Sequence, residues 1–453
     1  MMARLLRIGF FLILLTNSLT LSGGSLPFDV YTLDLALIPF ALLVAVKSIF
    51  YPGPKLRLTP FDPLFVLLIA LIIVSLQFSV NRELSLTNTF DWLRLVLIYF
   101  LARSVLGSVV QERTLVVQFS IMALFLVGLG FLQMVTGEPI GIIADYFGES
   151  REQYGWHRVS GPTPNSNVYA TWVIVYGGLS LSVLLAKARP FRFFALAGAM
   201  AIVLIGTLSR GGALGFAALV LVLLLLHSER AFSMRFLVPT SFLTVGLMGI
   251  LFVMFVANVH PLLTRGVNNI VNRQTGARDF EEGGQRWELM QLGLSLLTQP
   301  KIAAVGCGTG GMMLASLSSS GSSANAARRL VDRGVDVGTG VHNVWVATGV
   351  ESGIPSAATL LAIFVLFVRR IGRWRRRDDE GGVWSAYLMA IGIWYLAIAS
   401  QVYLVAARLP VLLPVVILIA LAANRAPQNA SSRKALSTVP LETEPIPPPP
   451  VLR

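Results

Sequence analysis

Long apolar blocks dominate the chain, and they limit what it can fold into more than any other feature. A bilayer core of about 30 Å needs about 20 apolar residues in each helix that crosses it. Blocks of this kind lie at roughly 5–22, 27–49, 62–79, 88–106, 115–136, 166–186, 193–209, 211–227, 236–258, 342–368, 383–404 and 408–424. We therefore predict an all-α polytopic membrane protein with about 12 transmembrane helices.

The composition excludes a soluble protein of the same length. About three soluble domains of average size would fit into 453 residues. However, only 13% of the residues are charged, whereas soluble domains carry about 25%. The single cysteine, Cys307, excludes an intramolecular disulfide. The four histidines are too scattered to suggest a zinc cluster.

Topology, rather than a nucleic-acid partner, explains the net charge of +13. Lys and Arg concentrate in short loops between the blocks, as the positive-inside rule expects for cytoplasmic loops. The strongest case is the run 373–377, which reads Arg-Trp-Arg-Arg-Arg. With this run inside and an even number of helices, both termini lie in the cytoplasm. The first block also resembles a signal peptide, but we expect a retained helix because no convincing cleavage site follows it.

The predicted organisation is a single integral membrane domain, 1–424, followed by a Pro-rich cytoplasmic tail, 425–453. The tail is expected to be disordered or polyproline-like. It is either a solvated end without function or a ligand for a partner protein.

A large external loop, 259–341, is inserted between the ninth and tenth helices, and we predict that it is partly helical. Its stretch from Gln285 to Thr298 has a helical pattern. The apolar residues available for a buried face are Trp287, Met290, Leu292, Leu294 and Leu297. The later part, 316–327, is rich in Ser, Ala and Gly, and we predict that it is mobile.

Two external arginines have no topological purpose. Arg210 lies in a tight turn between two apolar helices, where a guanidinium is costly unless it has a partner. It either snorkels to lipid headgroups or binds an anion. Arg286 opens the predicted helical stretch, and a helix N-terminus beside an arginine suits a phosphate. The alternative for Arg286 is a salt bridge within the loop, for example to Glu282.

His342 and Asn343 begin the tenth block at its external end. The positive end of a helix dipole disfavours an imidazolium, so a histidine there stays neutral at pH 7 and can accept a proton. The alternative is that both residues only cap the helix, because Asn is a good N-cap.

Two further residues are candidates for a site. Arg158 precedes a Gly- and Pro-rich turn, and it is either an anion ligand or an interface anchor. Glu351 lies within the tenth block, where a carboxylate is a functional candidate. It is equally well explained as a satisfied polar contact at a kink near Gly353 and Pro355.

Two local patterns are predicted to be structural. The spacing of Asp91 and Arg94 suits a salt bridge along one helix. The run 306–311, Gly-Cys-Gly-Thr-Gly-Gly, lacks the Lys and Ser/Thr of a phosphate-binding P-loop. We interpret this run as a backbone turn.

In their order and sidedness these motifs resemble the O-antigen ligase and polymerase superfamily of bacterial envelope glycosyltransferases. The resemblance covers roughly 150–360 by motif and the whole chain by topology. The matching residues are Arg158, Gly161, Asn165, Ser209-Arg210-Gly211, Arg286, Trp287, Pro300, Gly306, Gly308, His342-Asn343 and Glu351-Ser352-Gly353-Ile354.

The resemblance implies an inner-membrane enzyme whose active site faces the periplasm. Such an enzyme transfers a glycan from undecaprenyl diphosphate to an acceptor hydroxyl. A ligase uses a sugar of the lipid A core as acceptor, and a polymerase uses another lipid-linked glycan. By resemblance Arg210 and Arg286 bind the diphosphate and His342 is the catalytic residue near the acceptor. Arg158, Asn343 and Glu351 are the candidate substrate-binding residues.

The resemblance also implies no nucleotide sugar, no cofactor and no essential metal, and direct attack by the acceptor would invert the anomeric centre. Other envelope polysaccharide assembly proteins are candidate partners. The residues leave ligase and polymerase both open. The alternative outside this class is a twelve-helix transporter or flippase, for which internal repeats, broken helices and midplane charges would be typical.

Overall fold

The computed structural model describes most of the apolar blocks and the middle of the large loop. The described residues are 1–17, 22–23, 30–51, 58–136, 152–153, 156–157, 159–162, 166–207, 209–226, 277–319, 321–332, 341, 343–375, 382–397 and 408–424. The ninth predicted block, 236–258, and the tail, 425–453, lie outside them. For Arg210 and Arg286 only the backbone is described.

The described chain is almost entirely helical. The helices before the large loop are α1 (Met2–Asn17), α2 (Thr32–Phe50), α3 (Phe61–Gln77), α4 (Arg82–Val105), α5 (Glu112–Thr136), α6 (Ser166–Ala186), α7 (Pro190–Gly206) and α8 (Arg210–Leu226). Those within and after it are α9 (Ala277–Leu297), α10 (Pro300–Val305), α11 (Met312–Ser318), α12 (Ser322–Asp332), α13 (Val344–Ser352), α14 (Ile354–Arg375), α15 (Gly382–Ala397) and α16 (Arg408–Asn424). Two short antiparallel pairs join β1 (Ser22–Gly23) to β2 (Val30–Tyr31) and β3 (Glu152–Gln153) to β4 (Trp156–His157).

Several helices are apolar enough to cross a bilayer. Within the described ranges, four have both the length and the hydropathy: Leu33–Phe50, Glu112–Thr136, Ser166–Ala186 and Ile354–Arg373. Five shorter apolar helices accompany them: Phe61–Gln77, Pro190–Gly206, Gly215–Leu226, Trp384–Ile393 and Leu412–Asn424. The polytopic all-α class is therefore supported, and the count of twelve spans stays a prediction.

Helix α6 lies at the centre of the bundle. It packs against α5, α7, α8, α15 and α16, and the side chains from Val168 to Ser182 are buried all round. A helix that is apolar on every face needs such an enclosed position. Small residues allow the close packing, because a Cβ at Gly178 would lie 2.9 Å from Leu219 on α8.

One end of the bundle holds basic residues that are predicted to be cytoplasmic. Arg103 on α4 forms a buried ion pair with Asp62 on α3, and Asn424 at the end of α16 donates to the carbonyl of Arg103. Arg370 on α14 donates to the carbonyls of Ala422 and Ala423. These bonds occupy carbonyls of the last turn of α16, which the helix itself cannot satisfy. The four helices are thereby fastened together at this end.

The predicted salt bridge within α4 is confirmed and is part of a larger cluster. Arg94 contacts Asp91 at 2.8 Å and also pairs with Asp34 on α2 at 2.9 Å. All three side chains are largely buried, so the arginine compensates two carboxylates that would otherwise be expensive in an apolar bundle.

Three local predictions are wrong. The tenth block is not one continuous helix, because α13 ends at Ser352 and α14 begins at Ile354. The segment 316–327 contains the end of α11 and the start of α12 rather than a mobile coil. Of the predicted buried face of α9, Leu292 is buried, but Trp287 and Leu294 are 61% and 45% exposed. Leu289 and Leu296 are buried in their place. Packing against neighbouring helices, which periodicity alone does not reveal, selected that face.

Candidate functional site

The turn that follows Arg158 is held by two helices. The N–H of Val159 donates to the carbonyl of Gly206, the last residue of α7, at 3.0 Å. Oε1 of Gln133, near the end of α5, accepts from the N–H groups of Ser160 at 3.0 Å and Gly161 at 2.8 Å. Arg158 itself lies outside the described residues. The three hydrogen bonds of Val159, Ser160 and Gly161 fix the backbone directly after Arg158.

Gly161 is required at this turn by its conformation and its surroundings. Its φ is +55°, a region that side chains with a Cβ rarely adopt. A Cβ there would also collide with the ring of Tyr169 on α6. The Tyr169 hydroxyl donates to the carbonyl of Leu126 on α5, so the ring cannot easily move aside.

Arg210 is the first residue of α8, and Ser209 caps that helix. Ser209 Oγ accepts from the N–H of Gly212 at 3.0 Å and donates to Oδ1 of Asn167 at 2.7 Å. Asn167 is the second residue of α6, so the beginnings of α6 and α8 meet here. The predicted short connection between two apolar helices is confirmed, since α7 ends at Gly206 and α8 begins at Arg210. Arg210 was predicted to lie in the turn, but it belongs to the helix.

Arg286 is not at a helix N-terminus, which corrects the prediction from its local sequence. Helix α9 begins at Ala277, so the free N–H groups of its first turn lie well before Arg286. The polar, Gly-containing sequence 279–285 gave no apolar periodicity from which this earlier start could be read.

Helix α9 packs closely on the beginning of the tenth block. A Cβ at Gly293 would lie 2.7 Å from Val341 and 3.1 Å from Val346, so α9 and α13 approach each other at this glycine. Arg286 precedes Gly293 by two helical turns, and on an α-helix such residues share a face. The backbone position of Arg286 is therefore on the side of α9 that faces α13.

Asn343 caps α13, as its side chain predicts. Its Oδ1 accepts from the N–H groups of Trp345 at 3.0 Å and Val346 at 3.2 Å. The side chain is buried. His342 lies outside the described residues, between Val341 and this cap.

The run 306–311 is a turn, as predicted, and it fills the break between α13 and α14. Cys307 N–H donates to the carbonyl of Val350 at 3.0 Å, and Gly308 N–H donates to the carbonyl of Glu351 at 2.9 Å. Within a continuous helix the carbonyl of Glu351 would need the N–H of residue 355, which is a proline without that donor. The turn supplies the missing donor.

Two glycines permit this docking. Gly306 has φ +80° and Gly353 has φ +86°. A Cβ at Gly306 would collide with the Glu351 carbonyl, and one at Gly353 would lie 2.5 Å from the carbonyl oxygen of Ala304. The turn also bonds to α4, where Thr309 Oγ1 donates to the carbonyl of Ser85 at 2.8 Å.

Glu351 and Cys307 are both buried at this joint, with 2% and 3% of their surfaces exposed. Burial, together with the charge of Glu351, raises the pKa of the Cys307 thiol to about 12. The thiolate is the nucleophilic form of cysteine. Cys307 is consequently protonated at neutral pH and unsuited to nucleophilic catalysis.

Gln133 is the residue of this region that the sequence did not reveal. Its side chain is only 2% exposed, yet it fixes the turn after Arg158. A lone glutamine near the end of an apolar block has no distinguishing spacing, so only the fold brings out its contacts.

Comparison with known proteins agrees with these motifs. Residues 195–361 match the family model described as O-antigen ligase, and no curated protein matches the chain. The matched segment contains Arg210, Arg286, His342, Asn343 and Glu351, whereas Arg158 precedes it. The match supports an O-antigen ligase-like or polymerase-like role in polysaccharide biosynthesis, with glycosyltransferase-like activity. Through this segment the match supports membership of the chain in the O-antigen ligase and polymerase superfamily.

Proposed function

We propose that the protein transfers a glycan from undecaprenyl diphosphate to an acceptor hydroxyl at the periplasmic face of the inner membrane. The observation that carries the proposal is the hydrogen bond from Val159 to Gly206. It joins the turn after Arg158 to the connection that leads into Arg210. Two arginines that are distant in sequence thus belong to neighbouring segments.

The beginning of α8 adds to the anion-binding character of this place. Arg210 is the first residue of that helix, where free backbone N–H groups and the helix dipole favour a negative charge. We propose that Arg210 and Arg158 contact the diphosphate of the donor. As the leaving group departs it gains negative charge, and preplaced guanidiniums stabilise that charge in the transition state.

The packing of α9 on α13 supports the second half of the site. A Cβ at Gly293 would lie 2.7 Å from the side chain of Val341, and His342 is the next residue along the chain. We propose that Arg286 reaches the diphosphate from α9. We also propose that His342, kept neutral at the start of α13, accepts the proton of the acceptor hydroxyl.

In this proposal Asn343 and Glu351 support the site through the short helix α13. The cap by Asn343 fixes the residue that follows His342, and Glu351 lies at the other end of the same short helix. Direct attack by the acceptor on the donor inverts the anomeric centre. These steps use only side chains of the chain and the substrates, without a metal or a nucleotide sugar.

One observation bears on the transporter alternative, because α13 and α14 form a broken helix. In transporters the backbone carbonyls at such breaks coordinate ions. Here Cys307 and Gly308 already donate to the carbonyls of Val350 and Glu351. This occupied joint favours the enzyme over an ion-coupled carrier.

The test is an assay with purified protein in lipid nanodiscs and a lipid-linked oligosaccharide as donor. Elongated lipid-linked chains identify a polymerase, and a modified lipid A core identifies a ligase. Arg210→Ala, Arg286→Ala and His342→Ala should each abolish transfer while the protein still inserts. Arg328→Ala on α12 is the control and should retain activity. Full activity in all three site variants would overturn the proposal.

A further inference from the structure

Helices α9 and α12 form the walls of an open groove of about 790 Å³ that the proposed chemistry does not use. Its size lies in the range of small-ligand sites, roughly 300–1,000 Å³. The lining residues are Glu288, Gln291, Leu292, Ser295, Ser322, Ser323, Ala326, Arg329 and Asp332. A hydrogen bond of 3.0 Å between the hydroxyls of Ser295 and Ser323 joins the two walls.

The groove lies on a different face of α9 from Arg286. Its residues on α9 are Glu288, Gln291, Leu292 and Ser295, a spacing that forms one stripe along a helix. The side of α9 that contains Gly293 faces α13 instead. With a helix diameter of about 10 Å, a ligand in the groove is one helix width from the proposed diphosphate position.

The chemistry of the lining suits a carbohydrate. Hydroxyl, amide, carboxylate and guanidinium groups surround a small apolar floor of Leu292 and Ala326. A sugar ring presents hydroxyls at its edge and C–H groups on its faces. The polar groups of the groove can therefore bond the hydroxyls, and the apolar floor can pack against the C–H groups. The two carboxylates of Glu288 and Asp332 outnumber the guanidinium of Arg329, which disfavours a second diphosphate.

We propose that this groove is a glycan subsite, which binds hydroxyl-rich sugars of a substrate while the reacting bond lies on the other side of α9. The inference rests on the proposed function, because it takes the substrate to be a glycan. The same chemistry is present in the glycan of the donor and in the acceptor, so separate probes must distinguish them.

The experiment measures binding to purified full-length protein in nanodiscs by saturation-transfer NMR and equilibrium dialysis. The probes are the oligosaccharide released by mild acid from the lipid-linked donor, the lipid A core oligosaccharide and inorganic pyrophosphate. Either oligosaccharide should bind without competition from pyrophosphate. The one that binds identifies the source of the glycan, and binding by neither would overturn the proposal. Displacement by pyrophosphate would also overturn it, by making the groove an anion site.

Two matched pairs of variants locate the binding. Gln291→Ala should raise Kd at least about fivefold and Arg329→Ala about tenfold, as expected for lost hydrogen bonds to neutral and charged groups. Their controls on α12, Asn325→Ala and Arg328→Ala, remove similar side chains that do not line the groove. Equal effects within each pair would contradict the proposal.

A separate readout distinguishes the groove from the proposed function. If wild-type protein transfers glycan and Gln291→Ala leaves both Kd and KM unchanged, the subsite is wrong while the proposed function stands. If the oligosaccharide binds in the groove but no transfer occurs under any condition, the proposed function fails and the glycan subsite remains.

Discussion

Val159 and Gly206 are joined by a main-chain hydrogen bond of 3.0 Å, although α6 and nearly all of α7 lie between them in sequence. The donor belongs to the turn after Arg158, and the acceptor is the last residue of α7. An N–H group in a turn and a carbonyl at a helix end both lack partners within their own elements. Each satisfies the other, and the two arginine-containing segments are fixed side by side as a consequence.

Substituting Gly161 should damage this junction. Gly161→Ala forces a Cβ into a left-handed conformation and into the Tyr169 ring, so we expect a loss of about 1–3 kcal/mol in stability and reduced transfer. Thermal unfolding in nanodiscs measures the first effect. Gly198→Ala on α7 is the control, because a Cβ there meets nothing within 4 Å. That variant should be neutral or more stable.

Replacing Gln133 should reduce kcat/KM for the lipid-linked glycan donor more than it reduces the stability of the fold. Gln133→Met preserves length but removes the acceptor for Ser160 and Gly161, so kcat/KM for the lipid-linked donor should fall about tenfold or more. Gln133→Glu retains acceptor oxygens and should therefore keep much of the wild-type kcat/KM. Gln118→Met is the control, since Gln118 is buried on the same helix but bonds to Arg7. A similar kinetic loss in that control would show that the effect is only structural.

Asn343 should act through its cap. Asn343→Ala should destabilise the protein by about 1 kcal/mol, the usual effect of removing an N-cap. Asn343→Asp and Asn343→Ser preserve a capping oxygen and should recover stability. Activity should recover with stability in both variants. If stability returns but transfer does not, the Asn343 amide contacts the substrate directly.

Cys307 should make stability depend on pH in the alkaline range. The thiol has its pKa raised from 9.0 to about 12 by burial and by Glu351. The unfolded chain therefore loses this proton first as pH rises. Stability from this group is complete below pH 9 and is lost between pH 9 and 12, by about 1.4 kcal/mol for each pH unit.

The measurement compares wild-type protein with Cys307→Ala from pH 7 to pH 10.5. Above pH 9 the Tm of the wild type should fall steadily relative to the Tm of Cys307→Ala. A difference that is constant over the whole range would mean that the thiol titrates normally in the folded protein. Iodoacetamide should also leave the folded wild type unlabelled at pH 7.

The sequence predicted the features that local patterns determine. The apolar blocks indicated the helices, the spacing of Asp91 and Arg94 indicated their ion pair, and the glycines of 306–311 indicated a turn. Each depends on residues close in sequence. The partner Asp34 of the same arginine was not predicted, because that contact depends on how α2 packs against α4.

The joint at Gly353 shows why the remainder required the structure. A glycine followed by Ile-Pro is compatible with a kinked helix or with two separate helices. The choice depends on Cys307 and Gly308, which donate to the carbonyls at the break. Trp287 is similar, because the neighbours of α9 rather than its periodicity determine which face is buried.

The break before Ile354 also changes where this protein can be divided. Through Gly306, Cys307 and Gly308 the short helix α13 is bonded to α10 and its turn, so the unit that contains α10 and its turn ends at Ser352 and not before α13. A chimera that exchanges this unit for that of another protein would therefore need its second crossover at Gly353. A cut at the apparent start of the tenth block would separate α13 from the turn that completes it.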